Sequence, residues 1–333
     1  MLALRGIGLA LPPARSVRDL VREAGGDPAL HHGWERACIA NADDHPSSLA
    51  STALAAALTE AGIEARQLDL VLAVSVSRDY APSWSLATEV MRSHGAPDTC
   101  LGFDLTIGCL GTLVGLNTAL GWLHGMGGGY AAIVTGERWS QTIDRKDPAR
   151  QPMWGHADGG GAIVVSAGRA GTPLAQFHGA VFTSYPAYNG LILVKYGGTR
   201  FPVVPPGEDP SMRVLAPVPG REIWAAYARG YARAFAALQQ RFGVAPGRVI
   251  CNQPSPKVVG MIAEAAGVED GLACRTGHDC GHVGSVDIII GLRRVIDARQ
   301  LDRPVALAAS APYAFGAGLL TPPVTPPGPV TGP

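Results

Sequence analysis

Strand-length apolar runs alternate with segments of helical spacing along most of the chain. Residues 68–77 (LDLVLAVSVS), 99–109 (TCLGFDLTIGC), 130–137 (YAAIVTGE) and 161–168 (GAIVVSAG) predict buried strands. Residues 46–63, before the first of them, and 85–96, between the first two, have apolar positions at helical spacing, the former opened by Pro-Ser-Ser and closed by Gly62. The second half repeats the alternation. It reads as a strand at 174–185, a long helix at 222–243, a strand at 247–255, helices at 256–267 and 285–300, and a strand at 303–310. Helices between strands act as crossovers, so the pattern predicts an α/β fold with a mostly parallel sheet. Two βα-rich halves, residues 1–170 and 171–321, point to a structural duplication without evident sequence identity. The tail at 322–333 is too rich in proline for a helix or a central strand and is expected to be disordered.

One segment departs from amphipathic patterning. Residues 110–123 are apolar on nearly every side (Leu110, Leu113, Val114, Leu116, Ala119, Leu120, Trp122, Leu123), and a helix with no polar face has to be buried. Cys109 stands directly before it, at the end of the run DLTIGCLG. Such a thiol faces the unpaired N–H groups and positive dipole end of the helix, which favour thiolate, and its own N–H is free to bind an oxyanion. The alternative is a small buried hydrophobe, the ordinary role of a free cysteine.

Composition narrows the functional classes. With 47% hydrophobic but only 6% aromatic residues in 333, the cores are built from Ala, Val, Leu and Ile, which favours helices packed closely on sheets. Lys+Arg and Asp+Glu both number 27, leaving no basic field for a nucleic-acid backbone or anionic lipid. No run has the length of a membrane span or the layout of a secretory signal, so a cytoplasmic location is expected. The six cysteines are scattered, unlike the dense framework of a small secreted domain. The cluster CRTGHDCGH (274–282) raises zinc, but its spacing is not that of a paired-ligand site and no metal is assigned. The glycines of GMGGGY (125–130) precede a strand instead of following one, the wrong order for a dinucleotide fingerprint.

Several motifs occur together in an informative order. DLTIGCLG is similar to the nucleophile segment of the thiolase superfamily, and of β-ketoacyl-ACP synthase III in particular. WGHADGGGAIVVSAG (154–168) resembles that family's Phe-Gly-Asp-Gly-Ala-Gly-Ala run, YAFGAGLL (313–320) its C-terminal glycine turn, and DYAPSWSLATEVMRSHGA (79–96) the segment before its nucleophile strand. The resemblance implies a five-layered αβαβα thiolase fold, a homodimer paired through the 99–109 strand, Cys109 as nucleophile, and acyl-CoA or acyl-carrier-protein thioesters as co-substrates with no permanently bound cofactor. It also implies an oxyanion hole from the N–H of Cys109 and the glycine turn, best matched at Ala317 beside Gly316. Trp34 and Arg36 are candidate remnants of the family's coenzyme A contacts.

The sequence departs from the family where the condensing chemistry resides. Asn252, in CNQPS, stands in the place of the family's histidine, and His282, in CGHVGSVD, in the place of its asparagine. Asp287 follows His282 by five positions, where the family has a small residue. A carboxylate beside an imidazole sets its tautomer and stabilises imidazolium, which turns a hydrogen-bond donor into a general base. Cys109, His282 and Asp287 are thus similar to the set used by the acyl-transferring branch of the family in secondary metabolism, with Asn252 orienting substrate. The expected reaction passes an acyl group through Cys109 to a hydroxyl, amine or other small-molecule acceptor. Decarboxylative condensation and a non-catalytic partner subunit remain as alternatives. Of the other histidines, His156 interrupts the WGHADGGG run and is a candidate to face the cavity.

Overall fold

The computed structural model describes residues 1–80, 83–214 and 220–323; the proline-rich tail lies almost wholly outside them. Five strands of the first half are β1 (Leu2–Ala10), β2 (Leu70–Ala73), β3 (Leu101–Asp104), β4 (Gly129–Arg138) and β5 (Asp158–Ala167). The second half supplies β6 (Ala175–Ser184), β7 (Arg248–Cys251), β8 (Ala273–Cys274), β9 (Val305–Ala311) and β10 (Ala314–Thr321). They form one hydrogen-bonded sheet in the order β8-β7-β9-β10-β6-β1-β5-β4-β2-β3. Numbered within each half, both halves follow the same order, 3-2-4-5-1.

The main helices repeat as well. α1 (Pro46–Ala61), α2 (Leu86–His94) and α3 (Gly111–Gly125) follow the first, second and third strands of the first half. α4 (Gly220–Phe242), α5 (Pro256–Ala266) and α6 (Asp287–Asp297) do the same in the second. α1 and α2 cover the outer face of the first half, α4 and α5 that of the second. α3 and α6 lie between the halves, with α3 touching β2, β4 and β5 on one side and β6, β9 and β10 on the other. The five layers αβαβα expected from the resemblance are therefore present.

The sheet is mixed, not mostly parallel. Pairs next to a crossover helix are parallel, β2 with β3 and β4, and β7 with β8 and β9. No α-helix separates β4 from β5, or β9 from β10, and these pairs are antiparallel. Patterning also missed β1 altogether, whose LALRGIGLA carries a charge and two glycines. Those glycines serve helix packing: a Cβ on Gly8 would overlap the carbonyl oxygen of Ala53 in α1, whose backbone rides directly on the strand. Gly8→Ala is expected to destabilise the protein by about 3 kcal/mol through forced separation of α1 from the sheet, read as a lower urea midpoint; an unchanged midpoint would show that α1 gives way freely.

The buried helix expected at 110–123 is α3, in which Leu113, Leu116, Ala119 and Leu123 are fully buried. Each such leucine contributes roughly 2 kcal/mol relative to an exposed one. The layer carrying Cys109 is therefore firmly packed.

Candidate active site

Strand β3 ends at Asp104, five residues before Cys109, instead of running into it. Asp104 is a structural acid here: its carboxylate accepts the N–H groups of Leu86 and Ala87 at the start of α2 and the hydroxyl of Ser85. The chain then makes a tight turn at Gly108–Leu110, with Cys109 at its centre, and enters α3. Gly108 has φ +60°, and a Cβ there would press on Cβ of Ala311 at the end of β9, so only glycine brings the thiol this close to that strand.

His282 comes from the matching place in the second half, the turn before α6. Its backbone is clamped to the segment preceding β5: the N–H of His282 donates to the carbonyl of Gly155 at 2.9 Å, and the N–H of Ala157 donates to the carbonyl of His282 at 2.8 Å. Gly281, at φ +77°, lets the turn lie against Gly155, Arg36 and Ala37. Asp287, the first residue of α6, is fully buried. Its Oδ1 accepts the N–H of Val283 at 2.8 Å, and its Oδ2 accepts the N–H of Gln253 at 2.7 Å.

These elements align three side chains. Nε2 of His282 is 3.3 Å from Sγ of Cys109, and Nδ1 is 2.6 Å from Oδ2 of Asp287. Burial lowers the proton affinity of the ring, but the charges and hydrogen bonds of Asp287 and Cys109 outweigh it and push the pKa of His282 up to about 10. A raised folded-state pKa stabilises the fold fully below the unfolded value near 6.5, and that contribution is lost as pH rises through about 10. The melting-temperature gap between wild type and His282→Gln is therefore expected to be wide at pH 6 and to close towards pH 10.5. A gap independent of pH would exclude a buried imidazolium.

The other predicted site residues fall differently. Asn252 is fully buried beyond the end of β7; its Oδ1 accepts the Tyr231 hydroxyl at 3.1 Å and its Nδ2 donates to the Ser310 carbonyl at 3.2 Å, leaving one N–H. Ala317 and Gly316 are not in a turn. They lie inside β10, with Ala317 opposite Ala308 on β9 and Val181 on β6. The Ala308 carbonyl is turned to the N–H of Asn252, so alternation in the ladder directs the N–H of Ala317 to Val181 and away from the sulfur. The main chain beside Cys109 is instead the end of β9 at Ala311, where the hairpin turns through Pro312 and Tyr313.

Trp34 is not an open stacking platform. Its indole is 2% exposed, its N–H donates to the carbonyl of Gln253 at 2.7 Å, and its ring packs on Gly277 and His278, which makes it a support for the segments holding His282 and Asp287. Arg36 donates to the carbonyl of Ala14 in a surface hairpin.

His156, a candidate from the sequence, does stand beside the site, and two further features went unread. His156 packs edge-on against His282 with ring centroids 4.7 Å apart. Glu137 is buried under the His282 turn and accepts the Ser285 hydroxyl; burial, opposed by its hydrogen bonds, pushes its carboxyl up to about 6. Tyr227 and Tyr313 are close to Cys109, and burial first and the charge of the sulfur second push both phenols up.

Comparison with known proteins bears on this geometry. The family model for 3-oxoacyl-[acyl-carrier-protein] synthase III matches residues 103–184, the stretch from β3 through the Cys109 turn to β6. Over that stretch the chain is similar to ketoacyl synthase III. It is 34% identical to acetoacetyl CoA synthase NphT7 of a Streptomyces species over 183 residues, 55% of this chain and 54% of that one. It is 33% identical to β-ketoacyl-[acyl-carrier-protein] synthase III of Sodalis glossinidius over 135 residues, 40% and 41% of the two chains. The chain thus spans about half the length of these curated relatives or less. In fold, the chain is similar to FabH of Pseudomonas aeruginosa, with a TM-score of 0.82 at 20% identity over 98% of this chain and 99% of that one. It is also similar to the synthase III of Aquifex aeolicus, with a TM-score of 0.81 at 18% identity over 96% and 100%. These two matches show the thiolase fold.

Proposed function

We propose that this protein is an acyltransferase of secondary metabolism that carries an acyl group from a coenzyme A or acyl-carrier thioester, through Cys109, to a hydroxyl or amine of a small molecule. The observation that carries the reading is the continuous line from sulfur to imidazole to buried carboxylate. Cys109, as thiolate, attacks the thioester carbonyl. The N–H of Cys109 at the start of α3 steadies the oxyanion. The intermediate expels the donor thiol, which takes the proton of the His282 imidazolium. Acylation removes the sulfur charge and hydrogen bond that had helped hold the proton on His282, so the ring becomes a better base at the moment one is needed. It then takes the proton of the acceptor O–H or N–H as that group attacks the acyl carbon. Collapse returns the Cys109 thiolate beside imidazolium. Asp287 keeps the ring oriented throughout, and the remaining N–H of Asn252 is available to substrate. A homodimer formed through the edge strand β3 belongs to the same reading.

Decarboxylative condensation is the second reading, favoured by the synthase names of the relatives. The discriminating experiment supplies an acyl donor together with malonyl-CoA labelled in its free carboxyl. Transfer chemistry yields an ester or amide from an added alcohol or amine and releases no labelled carbon dioxide. Labelled carbon dioxide with a ketone product would establish condensation instead.

A further inference from the structure

We propose that His156 is the acceptor-binding residue of this site, a second imidazole that hydrogen-bonds the incoming hydroxyl or amine while His282 removes its proton. The proposal rests on the transferase reading above and names the group that receives the acceptor.

His156 stands two positions before Asp158. In the run that WGHADGGGA resembles, the residue two before the aspartate is phenylalanine. The ring occupies an aromatic slot here as well, edge-on to His282 at 4.7 Å and to Trp139 at 5.7 Å between centroids. A phenylalanine would fill that slot without polar cost. The imidazole does not: its Nδ1 is sealed from solvent with no hydrogen-bond partner, a situation that costs about 1–3 kcal/mol. Since the packing is equally available to a hydrocarbon ring, the nitrogens need a use of their own.

Position supplies one. His156 is partly exposed, and of its two ring nitrogens only Nδ1 is both sealed and without a partner, which leaves Nε2 as the nitrogen for a ligand. The main chain holds the ring in place: the N–H of His156 donates to the carbonyl of Met153 at 2.9 Å, its carbonyl accepts from Arg145 at 3.0 Å, and its backbone bridges to His282. Burial, and then the neighbouring charge of His282, keep the His156 ring neutral. A neutral imidazole with its proton on Nε2 donates to the lone pair of the acceptor oxygen or nitrogen and leaves the O–H or N–H hydrogen for His282, whereas a second cation would be repelled by the His282 imidazolium. Two rings in contact, one charged and cycling a proton and the other neutral and partly exposed, form a place for one polar nucleophile.

The test separates the two half-reactions by intact-protein mass spectrometry, with acetyl-CoA as donor and ethanolamine, which carries a hydroxyl and an amine, as acceptor. His156→Phe is expected to gain the acetyl mass on Cys109 within about threefold of the wild-type rate but to lose it to ethanolamine at least tenfold more slowly. His156→Gln, which restores a polar group on the same side chain, is expected to recover part of that loss. Equal loss of acyl gain and acyl release in His156→Phe would show that the residue only props His282, and an unchanged release rate would show that it only packs; either overturns the proposal. Wild-type protein that acylates but never transfers to ethanolamine, while forming ketone from malonyl-CoA, would remove the transferase reading and this inference with it, a result visible before any His156 variant is made.

Discussion

Cys109→Ala protein is expected to fold and to gain no mass from any acyl donor that labels the wild type, with turnover lower by at least about 10⁴-fold. The sulfur makes the only covalent bond in the scheme, and the phenols near it, Tyr227 and Tyr313, are poor substitutes at neutral pH, pushed above their ordinary range by burial and by Cys109 itself. Folding is expected to survive because Cys109 is only half-buried at the rim of its cluster, while the layer is held by the buried leucines of α3. Acyl labelling of Cys109→Ala at the wild-type rate would place the nucleophile elsewhere.

The second large effect is expected from Asp287→Asn. The carboxylate accepts three hydrogen bonds at once, from Nδ1 of His282 and from the N–H groups of Val283 and Gln253. An amide offers one oxygen and turns an NH₂ towards donors, so at least one of the three is left facing another donor. Two consequences should be measured together. Stability falls by about 1–3 kcal/mol from the unpaired buried donors. The His282 ring loses the largest influence that raises its pKa, along with its tautomer, so both acyl gain and acyl release slow by roughly 10³- to 10⁴-fold. A variant that is less stable but transfers acyl groups within threefold of wild type would make Asp287 a structural acid, as Asp104 is.

The difference between those two acids shows what patterning alone can and cannot tell. The alternation of apolar runs identified most strands and all six main helices, because burial of both sheet faces and of α3 writes itself directly into composition. Strand direction was not written in the same way: it depends on whether an α-helix intervenes, and the β4–β5 and β9–β10 connections lack one. Cys109 stood out before an all-apolar helix, whereas His282 and Asp287 were reached only through the resemblance, by the places where the sequence departs from it; the structure sets the three side chains in line. Ala317 was misplaced. FGAG has the composition of a turn, yet its small residues lie inside a strand so that Leu110, Leu113 and Phe182 can pack over Gly316 and Gly318. Trp34 was offered because the resemblance implies Trp and Arg contacts to coenzyme A near the N-terminus, and only tertiary packing reveals that Gly277 lies on its face. His156 carried a signal, a polar ring in a slot that the resembled run fills with phenylalanine, but that signal has meaning only once the neighbouring ring is known to be His282.

The most direct measurement is a chase of the acyl-enzyme. Protein is loaded with an acyl-CoA, freed of excess donor, mapped by peptide mass spectrometry and then exposed to ethanolamine. The acyl mass is expected on the peptide containing Cys109, and the chase should return the protein to its original mass while ethanolamine gains the acyl group with no carbon dioxide released. An acyl group found on another residue, or one that leaves Cys109 only when malonyl-CoA is added and decarboxylated, would contradict a relay in which His282, held by Asp287, delivers a heteroatom nucleophile to the acylated sulfur.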